Sequence, residues 1–202
     1  MSRARIAIFG GSFDPVHLGH LFLLHCAVSM TDYERFLIIP AKVSNFKQDS
    51  RPQASDQDRL NMLSLALEDY REIFPEDCNA KIEISTMELE RGGVSYTSDT
   101  VRQIKAQTDT ARIGLVMGDD HITGLSRWHD FAYLKDNVEF LICRRDSMQS
   151  SWELPEGICY KALVPSCVAP QSSSAIRMDL EGNLDYLSQR VREYVKKHDL
   201  YN

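Results

Sequence analysis

Residues 5–20 read Arg5-Ile6-Ala7-Ile8-Phe9-Gly10-Gly11-Ser12-Phe13-Asp14-Pro15-Val16-His17-Leu18-Gly19-His20. An apolar run, two adjacent glycines and two histidines three apart describe a strand that ends in a turn and gives way to a helix. Glycines let a backbone approach an anion closely and aim its N–H groups at it. A helix starting near His17 adds its positive N-terminal end. Residues i and i+3 share a helix face, so His17 and His20 are expected to converge on one phosphate. The segment has neither the G-x-G-x-x-G spacing of a dinucleotide site nor the G-x-x-x-x-G-K-[ST] phosphate loop. No carboxylate or cysteine beside the two histidines completes a metal site of usual spacing.

Outward from this segment, strand-like runs recur at residues 5–9, 36–40, 81–85, 113–117, 138–143 and 160–164. Between them, Leu60, Leu63, Leu67 and Tyr70, with Ala66 beside them, carry helical spacing, and Ser55 with Asp58 reads as a capping start. Ser98 or Asp99 is expected to cap a helix carrying Val101 and Ile104, and Leu184, Leu187, Val191 and Val195 mark an amphipathic helix near the end. Alternating strands and helices predict an α/β, Rossmann-like, doubly wound and mostly parallel sheet with helices on both faces. Its ligand belongs beyond the carboxyl ends of the strands, at the switch in strand order. Polar residues 45–54, including Lys47, Arg51 and Pro52, read as a loop, and no composition break divides the 202 residues into two domains.

A formal charge of −6 argues against a general nucleic-acid or anionic-membrane binder, so positive charge for an anionic ligand must be gathered locally. Cysteines 26, 78, 143, 159 and 167 are odd in number and form no C-x-x-C pair, which suits reduced thiols better than a disulfide framework or a zinc site. No apolar stretch reaches membrane-spanning length and no signal-peptide core opens the chain, so a cytoplasmic location is expected.

Gly10–His20 resembles the G-[ST]-F-D-P-x-H-x-G-H signature of the nucleotidyltransferases related to class I aminoacyl-tRNA synthetases. Later segments resemble one branch of it, the bacterial nicotinate-nucleotide adenylyltransferases. Arg91-Gly92-Gly93-Val94-Ser95-Tyr96-Thr97 is similar to its R-x-G-x-S-Y-T segment. Gly118-Asp119-Asp120 with Leu125 and Trp128 is similar to its G-x-D…L…W segment. Ser172-Ser173-Ser174-Ala175-Ile176-Arg177 is similar to its second phosphate motif, which would place that motif and the closing helices in residues 165–202. Departures are Gln171 for the usual isoleucine, Ser174 for threonine, Val94 for a frequent proline, and Ser44-Asn45-Phe46-Lys47 for a P-P-H-[KR] loop.

The resemblance implies transfer of AMP from ATP to nicotinate mononucleotide, with Mg²⁺ arriving on the ATP and no metal ligand from the protein. His17, His20 and Arg177 are the implied catalytic residues, and Gly10, Gly11, Ser12, Phe13, Asp120, Ser172, Ser173 and Ser174 complete the ATP site. Lys47, Ser95, Tyr96, Thr97 and Trp128 would hold the acceptor, Trp128 offering a stacking face for a pyridine ring. A nicotinamide mononucleotide or phosphopantetheine adenylyltransferase, and a nucleotide-binding module without turnover, remain open alternatives. ATP and nicotinate mononucleotide are the expected partners, without nucleic acid or membrane, and homo-oligomer assembly stays open.

Overall fold

The computed structural model describes residues 5–45, 52–110, 112–144, 152–165 and 172–201. Lys47, Gln171 and Cys167 lie outside the described residues. The chain runs β1 (Ile6–Gly11), α1 (Leu18–Met30), β2 (Arg35–Pro40), β3 (Val43–Ser44), α2 (Asp56–Ile73), β4 (Lys81–Ile84), α3 (Met87–Arg91), β5 (Val94–Ser95) and α4 (Thr97–Gln107). It continues with β6 (Ile113–Gly118), α5 (Phe131–Asn137), β7 (Val138–Cys143), β8 (Tyr160–Leu163), α6 (Ser173–Met178), α7 (Leu180–Asn183) and α8 (Gln189–Lys197).

Six strands form one sheet in the order β4-β2-β1-β6-β7-β8, every pairing parallel. Alternate residues of β1 serve opposite faces: Ala7 and Phe9 pack with Leu24, Met62 and Val191 from α1, α2 and α8. Ile6 and Ile8 pack with Val101, Ile104 and Leu134 from α4 and α5 on the other side. With both faces covered, the central strands read as continuous apolar runs rather than alternating ones. The order reverses between β1 and β6, and the crevice at their carboxyl ends lies between Gly10–Gly11 and Gly118.

Two short strands, β3 and β5, pair in parallel with Val43 opposite Val94 and Ser44 opposite Ser95. Gly92 and Gly93 both sit at φ +69°, a conformation that glycine adopts without steric penalty, and this turn brings β5 back toward β3.

Three expectations about helices are corrected. α4 begins at Thr97 with Tyr96 as its N-terminal flank, ahead of Ser98 and Asp99. Residues 184–195 are not one helix: Leu184–Tyr186 is a 3₁₀ turn, Leu187 is extended, and α8 starts afresh at Gln189. On α2, Leu60 is half-buried while Arg59 takes the buried stripe with Met62, Leu63 and Ala66. The Ser55 cap forms as read, its hydroxyl accepting from the N–H of Asp58 at 3.1 Å.

Candidate active site

A cavity of about 330 Å³ opens at the reversal point. Its floor is the end of β1 and β6, and one wall is the turn from Gly10 to His20. His17 is extended rather than helical and precedes α1, yet its ring centroid lies 3.8 Å from that of His20. The His17 N–H donates to His20 Nδ1 at 3.2 Å. An accepting Nδ1 puts the His20 ring proton on Nε2, where it serves as a donor for an anionic oxygen. Phe13 supports this ring: it is buried at φ +47°, with centroids 5.0 Å from His20 and 5.5 Å from Phe9. A left-handed phenylalanine carries about 1–2 kcal/mol of backbone strain, which its packed position holds in place.

The second phosphate segment arrives from the other end of the chain. The Ser172 hydroxyl caps α6 by accepting from Ala175 N–H at 3.2 Å, and Ser173 Oγ donates to the Pro15 carbonyl at 3.0 Å. The Arg177 guanidinium donates to the Asp14 carbonyl, lies 3.6 Å from the Asp14 carboxylate, and reaches Ser174 Oγ at 3.4 Å. His17, His20, Ser172, Ser173 and Arg177 therefore line one cavity. Two segments about 160 residues apart in the chain meet there.

Across the cavity stand Ser44, Ser95, Thr97, Asp120 and Trp128. Ser95 Oγ accepts from the Lys42 N–H at 3.0 Å, tying this wall to the end of β2. Trp128 is half-buried, and the His121 ring meets it edge-on. Tyr96 and Ser174 do not line the cavity: the Tyr96 ring stacks on His129 at 4.1 Å, and Ser174 is turned to Arg177. His129 Nδ1 also lies 3.0 Å from the buried Ser98 hydroxyl, so these contacts brace the chain on either side of Thr97.

Residues beyond those expected also shape the site. Asp14 is buried, and its carboxylate accepts from the Gln53 and Ala54 N–H groups at 2.8 and 3.0 Å and from the Tyr201 hydroxyl at 2.8 Å. Glu88 lines the cavity and accepts from Thr100 Oγ1 at 2.5 Å. Burial pushes its carboxyl above the ordinary range, against the opposing hydrogen bonds from Thr100 and Ser95 and the charge of Arg91. Arg59 is fully buried behind the phosphate-side wall. Asp14 stood within the opening motif, and Arg59 stood at an apolar helix position, so both left a trace in the sequence. Glu88 left none, because its burial depends on the turn that follows it.

Backbone turns, imidazoles, hydroxyls and a guanidinium facing one cavity suit a ligand with several anionic oxygens, and the Trp128 wall suits a flat ring. The cytidylyltransferase-like family profile matches residues 8–179. A protein of Listeria innocua named as a probable nicotinate-nucleotide adenylyltransferase is 35% identical over 98% of this chain and 97% of its own length. A Treponema pallidum protein of the same name is 31% identical over 98% of both. The solved Plasmodium falciparum nicotinic acid mononucleotide adenylyltransferase complexed with NaAD has the same fold. It gives a TM-score of 0.76 at 20% identity over 98% of this chain and 97% of that one. With a profile match across most of its length and full-length relatives above 30% identity, this chain belongs to the cytidylyltransferase-like family, in its nicotinate-nucleotide adenylyltransferase branch.

Proposed function

We propose that the protein joins nicotinate mononucleotide to the AMP moiety of ATP. An oxygen of the acceptor 5′-phosphate forms a bond to the α-phosphorus of ATP. The bond from that phosphorus to the bridging oxygen breaks, and pyrophosphate leaves with the electron pair. The observation that supports this most is the pairing of an anion-binding wall with an aromatic wall in one cavity at the sheet's reversal point.

The attacking phosphate oxygen is already ionised near neutral pH, so the reaction needs positioning and charge stabilisation more than a strong base. In this reading His17 and His20 serve the α- and β-phosphates, and Arg177 with Ser172 and Ser173 serves the β- and γ-phosphates, Ser174 acting only through its bond to Arg177. The backbone of Gly10–Phe13 approaches the phosphates, and Asp120 serves the adenosine portion. Trp128 stacks on the pyridine, and backbone N–H groups about Ser95–Thr97 and after Trp128 favour its carboxylate. Lys47, outside the described residues, is assigned to the acceptor phosphate.

Mg²⁺ is assigned to the phosphates of ATP, where it would neutralise charge on the departing pyrophosphate. Among the described residues no group of three or more His, Cys, Asp or Glu side chains is arranged to hold a metal ion. The cavity's hydroxyl, imidazole and guanidinium groups suit the phosphates that would carry the ion, and its carboxylates Asp14, Glu88 and Asp120 belong to no metal-holding cluster among the described residues. Among the described residues, no helix is long and apolar enough to cross a membrane.

The test is pyrophosphate release from purified protein, ATP and Mg²⁺ with nicotinate mononucleotide, nicotinamide mononucleotide or phosphopantetheine. The expected result is release with the nicotinate compound at a rate at least about 100-fold above the other two, well within the roughly 10⁴–10⁵ that a site built to pair with one polar group can reach. Equal rates with the two mononucleotides would overturn the acid preference. Silence with every acceptor would overturn the activity and favour a nucleotide-binding module.

A further inference from the structure

Arg59 has no solvent-exposed side-chain surface and does not line the cavity, although Ser12 and Ala41, which it touches, both do. One guanidinium nitrogen donates to the Ser12 carbonyl and to the Ala41 carbonyl, both at 2.8 Å. The second terminal nitrogen donates to Asp56 at 2.7 Å. A planar fork can join the ends of two strands and a carboxylate at once, which the compact ammonium of lysine cannot do at the same reach. The Lys42 ammonium pairs with that same carboxylate, so Asp56 is shared between two cations. Burial alone would push the Asp56 carboxyl up, but the hydrogen bonds from Lys42 and Arg59 outweigh it and hold it below the ordinary range.

The carbonyls of the phosphate-side turn follow one pattern. Gly11 O accepts from the Ala41 N–H, Ser12 O from Arg59, Asp14 O from Arg177 and Pro15 O from Ser173. Each is a negative dipole end that would repel a triphosphate if it faced the cavity. Bonded into the protein, these oxygens leave the turn's N–H groups and the imidazoles to meet the ligand. Beneath the turn, the cations Lys42, Arg59 and Arg177 stand against the carboxylates Asp14 and Asp56. The excess is one positive charge, gathered locally in a chain of net charge −6.

From this geometry we infer that Arg59 is a positioning residue for the triphosphate: from behind the turn it withdraws the Ser12 and Ala41 carbonyls and keeps a cation beside the turn. This deepens the proposed function and rests on ATP phosphates occupying the cavity. Arg59 touches no ligand, so its contribution is carried by the turn and by charge preorganised before binding. A residue that merely held the fold would serve the nucleoside and the phosphates alike. Arg59 is expected to serve the phosphates selectively.

The experiment measures dissociation constants of ATP and of adenosine by calorimetry for the wild type, Arg59→Met and Asp56→Asn. Arg59→Met is expected to weaken ATP about tenfold more than adenosine, the size of losing a charge-assisted interaction. Asp56→Asn keeps the guanidinium and removes the shared carboxylate, so it is expected to tighten ATP relative to adenosine. If Arg59→Met does not fold, the opposite sign at Asp56 decides the matter. Equal losses for ATP and adenosine in Arg59→Met would overturn the inference, as would a ratio of the ATP to the adenosine dissociation constant that stays flat or rises in Asp56→Asn. A wild type that binds no ATP would overturn the proposed function itself. Normal wild-type binding with insensitive variants would overturn the role of Arg59 alone.

Discussion

His20 draws its orientation from three contacts: the His17 N–H on its Nδ1, the His17 ring at 3.8 Å and the Phe13 ring at 5.0 Å. Such a side chain is aimed before any ligand arrives, which is what stabilising a charge that develops during reaction requires. Replacing His17 or His20 by alanine is therefore expected to lower turnover by about 10²–10³, the usual loss for a preorganised donor to a developing charge. ATP affinity should change by less than about tenfold, because Arg177 and the serine turn remain. Steady-state pyrophosphate release, set beside an ATP titration, separates the two effects. At this scale the opening motif was informative because its parts are contiguous. Asp14 was less legible: its partners at Gln53, Ala54, Arg177 and Tyr201 are 39 to 187 residues away. No spacing rule reaches that far.

α2 links stability to the site because it carries both the capped start and Arg59. The Ser55 hydroxyl caps the helix only four residues before the buried guanidinium. Ser55→Ala is expected to cost about 1 kcal/mol of stability, the ordinary value of such a cap, and urea denaturation would read it. The helix itself was legible in the spacing of Leu63, Leu67 and Tyr70, all buried as expected. Its Arg59 position was readable only as an anomaly, since an arginine on an apolar stripe normally lies at its edge. β3 and β5 were not legible at all, because two-residue strands are too short to show a period. The break at Leu187 was hidden by its neighbours: Leu187, Val191 and Val195 are all buried, so the apolar spacing continues across a backbone that does not.

Across the whole molecule, the four central strands were recognisable from sequence because burial on both faces leaves nearly unbroken apolar runs, while the edge strands β4 and β8 showed as shorter, partly exposed runs. Their order was not, since it depends on which helix covers which face. The fold's interior also sets a pH response. Glu88 is buried at the cavity with its carboxyl raised above the ordinary range, so the folded protein holds that proton more tightly than the unfolded chain. Its contribution to stability is fully present below the ordinary glutamate range and is lost as pH rises through the raised one. Glu88→Gln removes this loss, so the melting temperature of the variant relative to wild type should climb as pH increases over that window. A constant difference would show that Glu88 titrates alike in both states.

The cradle itself joins the two ends of the chain, Gly10–His20 and Ser172–Arg177, around one cavity. A crystal structure with a non-hydrolysable ATP analogue tests it most directly. The expected result is phosphate oxygens within about 3 Å, ordinary hydrogen-bond distance, of the His17 and His20 imidazoles and of the Arg177 guanidinium. A nucleotide bound with its phosphates beside other residues, and those three side chains turned from it, would contradict the assignment.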